Sequence, residues 1–183
     1  MKIGIDIDGV MADFTKTFTS LAVSLGLTDK VTHQAIQPTW HFDFPMSPVW
    51  DVIDETYNWW MTLPPLIKRG EIENLNRVVA AHDVYFITSR KNSNGFTAAK
   101  QTDLWLQSIG VHTHHAHVIT SDNKGALCAA LGITDMLDDN VPNLNDLRAH
   151  GITAWCRSWL YNKGEELPCG SVDDFLLASG AWQ

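Results

Sequence analysis

The chain has 183 residues, enough for one domain whose core needs no disulfides or metal ions to hold it together. Apolar residues make up 45% and charged residues 19%, which excludes intrinsic disorder as the default state. With 13 Lys and Arg against 21 Asp and Glu, the net charge is -8. This balance disfavours a protein that binds a nucleic-acid polymer by broad phosphate neutralisation.

The cysteines and the N-terminal residues indicate the cellular compartment of the protein. Cys128, Cys156 and Cys169 are odd in number and widely spaced, which is typical of a chain kept in a reducing environment. The first ten residues, MKIGIDIDGV, contain no long apolar run. Nowhere do about 18 apolar residues run together. We therefore expect a cytoplasmic protein with no membrane partner.

Short apolar strands alternate with amphipathic helices along most of the chain. Strands are predicted over 2–7, 84–87 and 152–156, and near 118–119 and 136–137. Helices are predicted over 12–25, 71–81, 97–109, 125–131 and 144–149, with a terminal helix around 172–176. Five strands with intervening helices predict a doubly wound, parallel α/β sheet.

Residues 28–68 break this alternation. They contain five of the seven prolines. Their aromatic residues are Trp40, Phe42, Phe44, Trp50, Tyr57, Trp59 and Trp60. A long irregular insertion inside a compact domain is usually functional, and many such segments are lids over a site.

Acidic residues follow two of the predicted strands. Asp6 and Asp8 end the first strand, and Asp138 and Asp139 follow another. Because the carboxyl ends of parallel strands form the ligand-binding edge of such a sheet, we expect these carboxylates to converge. An oxygen-only ligand set suits Mg²⁺. For either pair alone, the alternative is a helix cap or a turn, where Asp is also favoured.

Two hydroxyls and a lysine follow two further strands. Thr88 and Ser89 end the strand over 84–87, and Lys124 opens a helix after the strand near 118. Hydroxyl donors, an ammonium group and Mg²⁺ together offset the charge of a phosphoryl group in transfer. Singly, Thr88 is better explained by a helix cap and Lys124 by a solvated surface charge. Together with the acidic pairs, they indicate phosphoryl transfer.

Four motifs resemble the haloacid dehalogenase (HAD) superfamily and, within it, the 5'(3')-deoxyribonucleotidases. In chain order they are DIDGVMADF (6–14), FITSR (86–90), Lys124 in SDNKG, and MLDDN (136–140). Two further segments, WWMTLPPL (59–66) and AWCRSWLYN (154–162), are also similar to that subfamily. The chain departs from the subfamily between Arg90 and Lys100, where an additional phosphate-binding lysine is expected and Lys100 is the candidate.

The resemblance implies a fold and a domain organisation. The fold is a doubly wound, parallel, five-stranded, Rossmann-like HAD core with a small, mainly helical cap inserted after the first strand and helix. Residues 1–27 and 69–183 would form the catalytic core, and residues 28–68 the cap.

The resemblance also implies roles for the matched residues. Asp6 would be the nucleophile, forming an aspartyl-phosphate, and Asp8 the general acid and base. Mg²⁺ would bind the Asp6 carboxylate, the Asp8 carbonyl and the Asp139 carboxylate, with Asp138 behind them. Thr88 would hold a phosphate oxygen.

The remaining candidates are further phosphate and leaving-group contacts. Lys124 would hold phosphate oxygens and offset repulsion between the carboxylates. The candidate substrate-binding residues are Phe14, Trp59, Trp60, Ser89 and Arg90. The implied activity is a Mg²⁺-dependent phosphatase of the 5'-nucleotidase type acting on a deoxynucleoside or nucleoside monophosphate. A homodimer is left open.

Other functions fit some of the same residues. A HAD phosphatase acting on a sugar phosphate or another small monoester keeps the chemistry, although the aromatic insertion favours a flat base. A receiver-type signalling domain also combines Mg²⁺, an acidic cluster, Thr and Lys around a phosphorylated Asp. The pairing of Asp6 with Asp8 and the insertion of about 40 residues disfavour it. An inactive interaction module is disfavoured because no member of the set is missing.

The segment VHTHHAHV contains four histidines, His112, His114, His115 and His117. Imidazoles bind zinc or nickel, but alternating residues on a strand share one face without converging on an ion. We interpret the segment as a polar loop leading into the third strand and assign it no role.

Overall fold

The computed structural model describes residues 1–35, 37 and 40–182. Its central sheet contains β1 (Lys2–Ile5), β2 (Asp83–Thr88), β3 (Ala116–Thr120), β4 (Asp135–Asp138), β5 (Thr153–Arg157) and β6 (Pro168–Cys169). All neighbouring strands are parallel, in the order β3-β2-β1-β4-β5-β6. The winding direction reverses between β1 and β4, so the crevice at their carboxyl ends is the expected ligand site.

The predicted parallel α/β architecture is confirmed, with two differences in the strands. The sheet has a sixth strand, β6, whose two residues pair with Cys156 and Arg157 at the edge and are too few to form a sequence pattern. The first strand ends at Ile5 rather than Ile7. The Ile7 carbonyl instead accepts hydrogen bonds from the amides of Met11 and Ala12, both at 2.8 Å, because the chain turns sharply there.

The helices are α1 (Phe14–Ser24), α2 (Ser47–Glu55), α3 (Arg69–Ala81), α4 (Ala98–Ser108), α5 (Lys124–Leu131), α6 (Val141–Ala149) and α7 (Val172–Ala178). Short 3-10 turns lie at Trp59–Met61, Thr113–His115 and Leu160–Asn162. Five of the helices begin at a polar residue whose side chain accepts a hydrogen bond from a first-turn amide: Asp13, Thr97, Asn123, Asn140 and Ser171. In the part of the chain that the structure describes, no helix has the length and apolar character needed to cross a bilayer.

The sheet is apolar on both faces, as a doubly wound sheet must be. Alternating residues divide between the two sides. Ile5 and Phe86 pack with α1, α3, α4 and α7, whereas Tyr85 and Met136 pack with α5 and α6. Burial on both faces fixes the register of the strands, because a slip by one residue would exchange the two sets of side chains.

The described part of residues 28–68 lies against α1 and α4. Their described part contains α2 and one 3-10 turn and is otherwise irregular. Phe42 and Trp60 belong to the same apolar cluster as Phe14 and Phe18 of α1, so the insertion shares the main core. Hydrogen bonds also join the insertion to the loop after β2, such as Asn58 N to the Asn94 carbonyl at 2.8 Å.

Candidate active site

A cavity of about 170 Å³ lies where β1, β2 and β4 end. Its lining residues are Asp6, Asp8, Phe14, Trp40, Trp50, Trp60, Thr88, Ser89, Arg90, Lys124, Asp139, Asn140 and Asn143. The topology accounts for this convergence, since the acidic and hydroxyl groups lie at or shortly after the carboxyl ends of strands that meet at the same edge.

Lys124 is the charged centre of the cavity floor. Its ammonium lies 2.7 Å from Asp6 Oδ1 and 2.7 Å from Asp138 Oδ2, and its side chain is 1% exposed. Burial lowers the pKa of Lys124, but the carboxylates of Asp138 and Asp6 outweigh burial and raise it overall. The lysine therefore stays charged and available to an anionic group.

The carboxylates outnumber the cations that contact them. Asp6, Asp138 and Asp139 are all buried, and one ligand atom from each lies within 4.8 Å of the others. Burial raises the pKa of Asp6 to about 7, with Lys124 opposing and Asp138 and Asp8 adding to the rise. Burial, followed by the charges of Asp6 and Asp138, raises the pKa of Asp139 well above its usual value. A bound cation would offset the repulsion among these buried carboxylates and favour their ionised forms.

The oxygens of Asp138 and Asp139 differ in what they contact. Asp138 Oδ1 accepts hydrogen bonds from Asn140 N at 2.9 Å and Asn143 Nδ2 at 3.2 Å, while Oδ2 accepts from Lys124. Asp139 Oδ2 accepts a hydrogen bond from the Tyr161 hydroxyl. Asp139 Oδ1 is buried and has no partner among the described residues. An orphaned carboxylate oxygen beside other carboxylates fits a hard cation, so the donor set is compatible with Mg²⁺.

Asp8 contacts a different cation. Arg90 donates to it through Nε at 2.8 Å and Nη2 at 2.7 Å, and through Nη1 to Thr102 Oγ1 at 3.0 Å. The guanidinium also lies 4.9 Å from the centroid of the Trp60 ring. Arg90 lines the cavity, but three of its nitrogens are engaged by protein groups. The predicted contact between Arg90 and substrate stays a prediction.

Comparison with known proteins found no matching family model and no matching curated protein. Solved structures do match. One is a haloacid dehalogenase-like family hydrolase from Streptococcus pneumoniae, with a TM-score of 0.64 and 11% identity over 97% of both chains. Another is a Thermotoga maritima protein, provisionally named a beta-phosphoglucomutase, with a TM-score of 0.59 and 13% identity over 98% of both chains.

The chain has a haloacid dehalogenase-like fold. The fold implied by the four motifs is confirmed. Identities this low carry no information on substrate, so the finer resemblance to deoxyribonucleotidases is not supported by these structures.

Within this haloacid dehalogenase-like fold, the two hydroxyl candidates lie beside the acidic groups. Thr88 Oγ1 is 3.4 Å from Asp8 Oδ2, and the Ser89 hydroxyl donates to the Ser121 carbonyl at 3.1 Å. Lys100, by contrast, donates to Asp103 at 2.8 Å on the surface and does not line the cavity. The structure does not bring the candidate additional lysine to the site.

An aromatic wall faces the charged groups. Phe14 lies at its centre, with ring centroids 5.2 Å from Trp40, 5.8 Å from Trp50 and 6.1 Å from Trp60. Trp59 packs edge-on against Trp60 at 4.9 Å and does not line the cavity. Of the three predicted aromatic contacts, Phe14 and Trp60 therefore reach the cavity, and Trp59 lies behind them.

Several residues of the site carry no recognisable signal in the sequence. Asn140 and Asn143 orient Asp138, and Tyr161 contacts Asp139. Asn140 lies in MLDDN and Tyr161 in AWCRSWLYN, but nothing in the sequence shows what their side chains contact. Trp40 and Trp50 belong to the aromatic insertion, and the sequence alone assigns neither of them a role.

The histidine segment lies elsewhere. It borders a groove of about 830 Å³ beside α4 and β3, which His112 and His114 line. Within the described ranges, the one group of three or more residues placed to hold a metal ion is Asp6, Asp138 and Asp139.

Proposed function

We propose that the protein is a Mg²⁺-dependent phosphatase that hydrolyses a phosphate monoester through an aspartyl-phosphate on Asp6, and that its substrate is a nucleoside monophosphate of the 5'(3')-deoxyribonucleotidase type. One observation carries the proposal. Asp6 is ion-paired with the buried Lys124 in a cavity that Asp8, Thr88 and Asp139 also line, and Asp139 Oδ1 has no partner among the described residues.

Asp6 and Asp139 supply the carboxylates that would hold the cation, together with the main-chain carbonyl of Asp8. Asp138 is less suited to be a ligand, because both of its oxygens already accept hydrogen bonds from protein donors. When bound, Mg²⁺ would supply positive charge beside the phosphate and reduce repulsion between phosphate and Asp6.

In the first step, Asp6 attacks phosphorus, and the bond between phosphorus and the ester oxygen breaks. Asp8 donates a proton to the departing oxygen. In the second step, Asp8 removes a proton from water, which attacks phosphorus and releases phosphate and Asp6. Lys124 and Thr88 offset the charge on the phosphoryl oxygens in both steps.

The aromatic wall supports a flat leaving group. Phe14, Trp50 and Trp60 face the same cavity as the acidic residues, so a phosphate at Asp6 places its ester substituent near these rings. A base stacks on aromatic rings with about 1 to 3 kcal/mol in single-strand-binding proteins. A sugar offers less flat surface.

A phosphate-release assay tests the proposal. The protein with Mg²⁺ is incubated with 5'- and 3'-deoxynucleoside monophosphates, the matching ribonucleotides, sugar phosphates and p-nitrophenyl phosphate. The control is Asp6→Asn, prepared in the same way, because it keeps the side-chain shape and reveals any contaminating phosphatase. We expect release from nucleoside monophosphates and loss of many orders of magnitude in Asp6→Asn.

Each of the other possible results of this assay leads to a different conclusion. A preference for sugar phosphates would overturn the substrate part and leave the chemistry. A single phosphorylation of Asp6 without turnover would favour a receiver-type domain. The absence of phosphate release from every substrate would overturn the proposal.

A further inference from the structure

The 3-10 turn Leu160–Asn162 contacts Asp139 at two points. The Tyr161 hydroxyl donates a hydrogen bond to Asp139 Oδ2, and Asn162 Nδ2 donates to the Asp139 carbonyl at 2.9 Å. Asn162 Nδ2 also donates to the Arg157 carbonyl at 2.8 Å, which ties the turn to β5. Both the backbone and the side chain of Asp139 are therefore fixed from this turn.

Trp159, the residue before this turn, contacts Gly9, which is close to the Asp139 carboxylate. Trp159 Nε1 donates to the Gly9 carbonyl at 2.7 Å. Gly9 has a φ of +81°, and a Cβ at this position would overlap the Asp139 carboxylate. The carboxylate thus lies in a slot bordered by Gly9 and Tyr161, both of which are close to Oδ2.

The two oxygens of Asp139 face different surroundings. Oδ2 accepts a hydrogen bond from the Tyr161 hydroxyl, because a carboxylate oxygen accepts and the phenol supplies the O–H donor. Oδ1 has no partner within the described part of the chain, and a carboxylate oxygen of Asp139 lies within 4.8 Å of ligand atoms of Asp6 and Asp138. Outer hydrogen bonds to a ligating carboxylate commonly set which oxygen the metal receives.

We propose that Tyr161 is a positioning residue, whose hydroxyl holds Oδ2 of Asp139 so that Oδ1 stays directed at a divalent cation. This inference rests on the metal site of the proposed function. It adds a residue outside the four motifs to the machinery that sets cation affinity.

Tyr161→Phe tests the inference because it keeps the ring and removes the hydroxyl. Cation binding is measured without substrate, by calorimetric titration with Mg²⁺ and by electron paramagnetic resonance with Mn²⁺. We expect Kd for both ions to rise roughly 10- to 100-fold, the usual cost of losing such an outer contact. The matched control is Tyr57→Phe, since Tyr57 is 65% exposed and outside the cavity. Its Kd should equal that of the wild type.

A second measurement separates positioning from a general packing effect. In an Asp139→Ala background, Tyr161→Phe should change Kd no further, because its target is gone. If Tyr161→Phe is less stable, the rise in melting temperature on adding Mg²⁺ still reports binding to the folded state.

The outcomes separate this inference from the proposed function. An unchanged Kd in Tyr161→Phe, or an equal further loss in the Asp139→Ala background, would overturn the role of Tyr161. If the wild type binds Mg²⁺ but releases no phosphate, the proposed activity fails, while the Kd comparison still decides the role of Tyr161. A wild type that binds neither ion would overturn both.

Discussion

Arg90 donates two hydrogen bonds to Asp8, one to each carboxylate oxygen, at 2.8 and 2.7 Å. Paired bonds of this kind fix the plane of a carboxylate as well as its position. The arginine is itself held by Thr102 and by the face of Trp60. The orientation of Asp8 is therefore set by a residue that follows β2, a different strand from its own.

Arg90→Met should impair proton transfer to the leaving group. The loss should be larger for a deoxynucleoside monophosphate, whose alkoxide needs a proton, than for p-nitrophenyl phosphate, whose phenolate leaves without one. We expect kcat/KM to fall roughly 10- to 100-fold on the first substrate and by a much smaller factor on the second. The measurement is kcat/KM, which reports the steps up to the aspartyl-phosphate.

Thr102→Val is the control for Arg90→Met, because it removes a partner of Arg90 without touching Asp8. It should affect both substrates little and equally. Equal large losses on both substrates in a folded Arg90→Met protein would mean that Arg90 binds phosphate and does not act through Asp8.

Metal removal should stop hydrolysis. Chelation with EDTA should abolish phosphate release, Mg²⁺ should restore it, and Ca²⁺ should restore it poorly because it prefers more ligands at longer distances. Asp139→Ala should raise the Mg²⁺ concentration needed for half-maximal activity. The exposed Asp29 provides the matched control, since Asp29→Ala removes an acidic group that does not line the cavity. Full activity of the wild type in metal-free buffer would contradict this prediction.

The core of the fold is predictable because its signals are local. Short apolar runs such as those at Ile3 and Phe86, separated by amphipathic helices, indicate a parallel sheet with both faces covered. The ends of elements are less predictable. The apolar Ile7 extends the pattern of β1 by composition, yet its carbonyl closes a turn. Tertiary hydrogen bonds decide such boundaries, and a local pattern does not contain them.

The site is predictable to the extent that strand ends meet at one edge. Asp6, Asp8, Lys124 and Asp139 line a single cavity, as the topological argument requires. The contacts between individual side chains are not predictable in this way. Arg90 is 82 residues from Asp8, and Tyr161 is 22 residues from Asp139, so neither contact leaves a spacing signal in the chain.

Gly9→Ala should lower both the stability of the protein and its affinity for Mg²⁺, and the two effects can be measured separately. A residue with a side chain at φ +81° costs about 1 to 3 kcal/mol of stability, and the new Cβ would also displace the Asp139 carboxylate. The control is Gly26→Ala, whose φ is +70° and whose Cβ would meet nothing within 4 Å. Chemical denaturation should show a loss in both variants, and a weaker Mg²⁺ affinity in Gly9→Ala alone. Similar Mg²⁺ binding in the two variants would mean that the slot beside Asp139 tolerates a methyl group.

Phe14→Leu should reduce affinity for a nucleotide while leaving the phosphate site intact. Phe14 contacts the cavity and lies at the centre of the aromatic wall, and leucine keeps an apolar side chain while removing the flat ring. Loss of a base stack worth about 1 to 3 kcal/mol corresponds to roughly a 5- to 150-fold rise in KM for a deoxynucleoside monophosphate. KM for p-nitrophenyl phosphate should change much less.

Phe18→Leu provides the matched control for Phe14→Leu. Phe18 lies one turn further along α1, with its ring centroid 5.2 Å from that of Phe14, and does not line the cavity. Both substitutions remove a buried ring from the same cluster, so both should lower the free energy of unfolding by similar amounts. Only Phe14→Leu should discriminate between the two substrates in KM. If Phe18→Leu raises KM for the nucleotide as much as Phe14→Leu does, the aromatic wall acts through packing alone. The leaving-group argument for a nucleotide would then lose its main support, and a sugar phosphate would become the better candidate substrate.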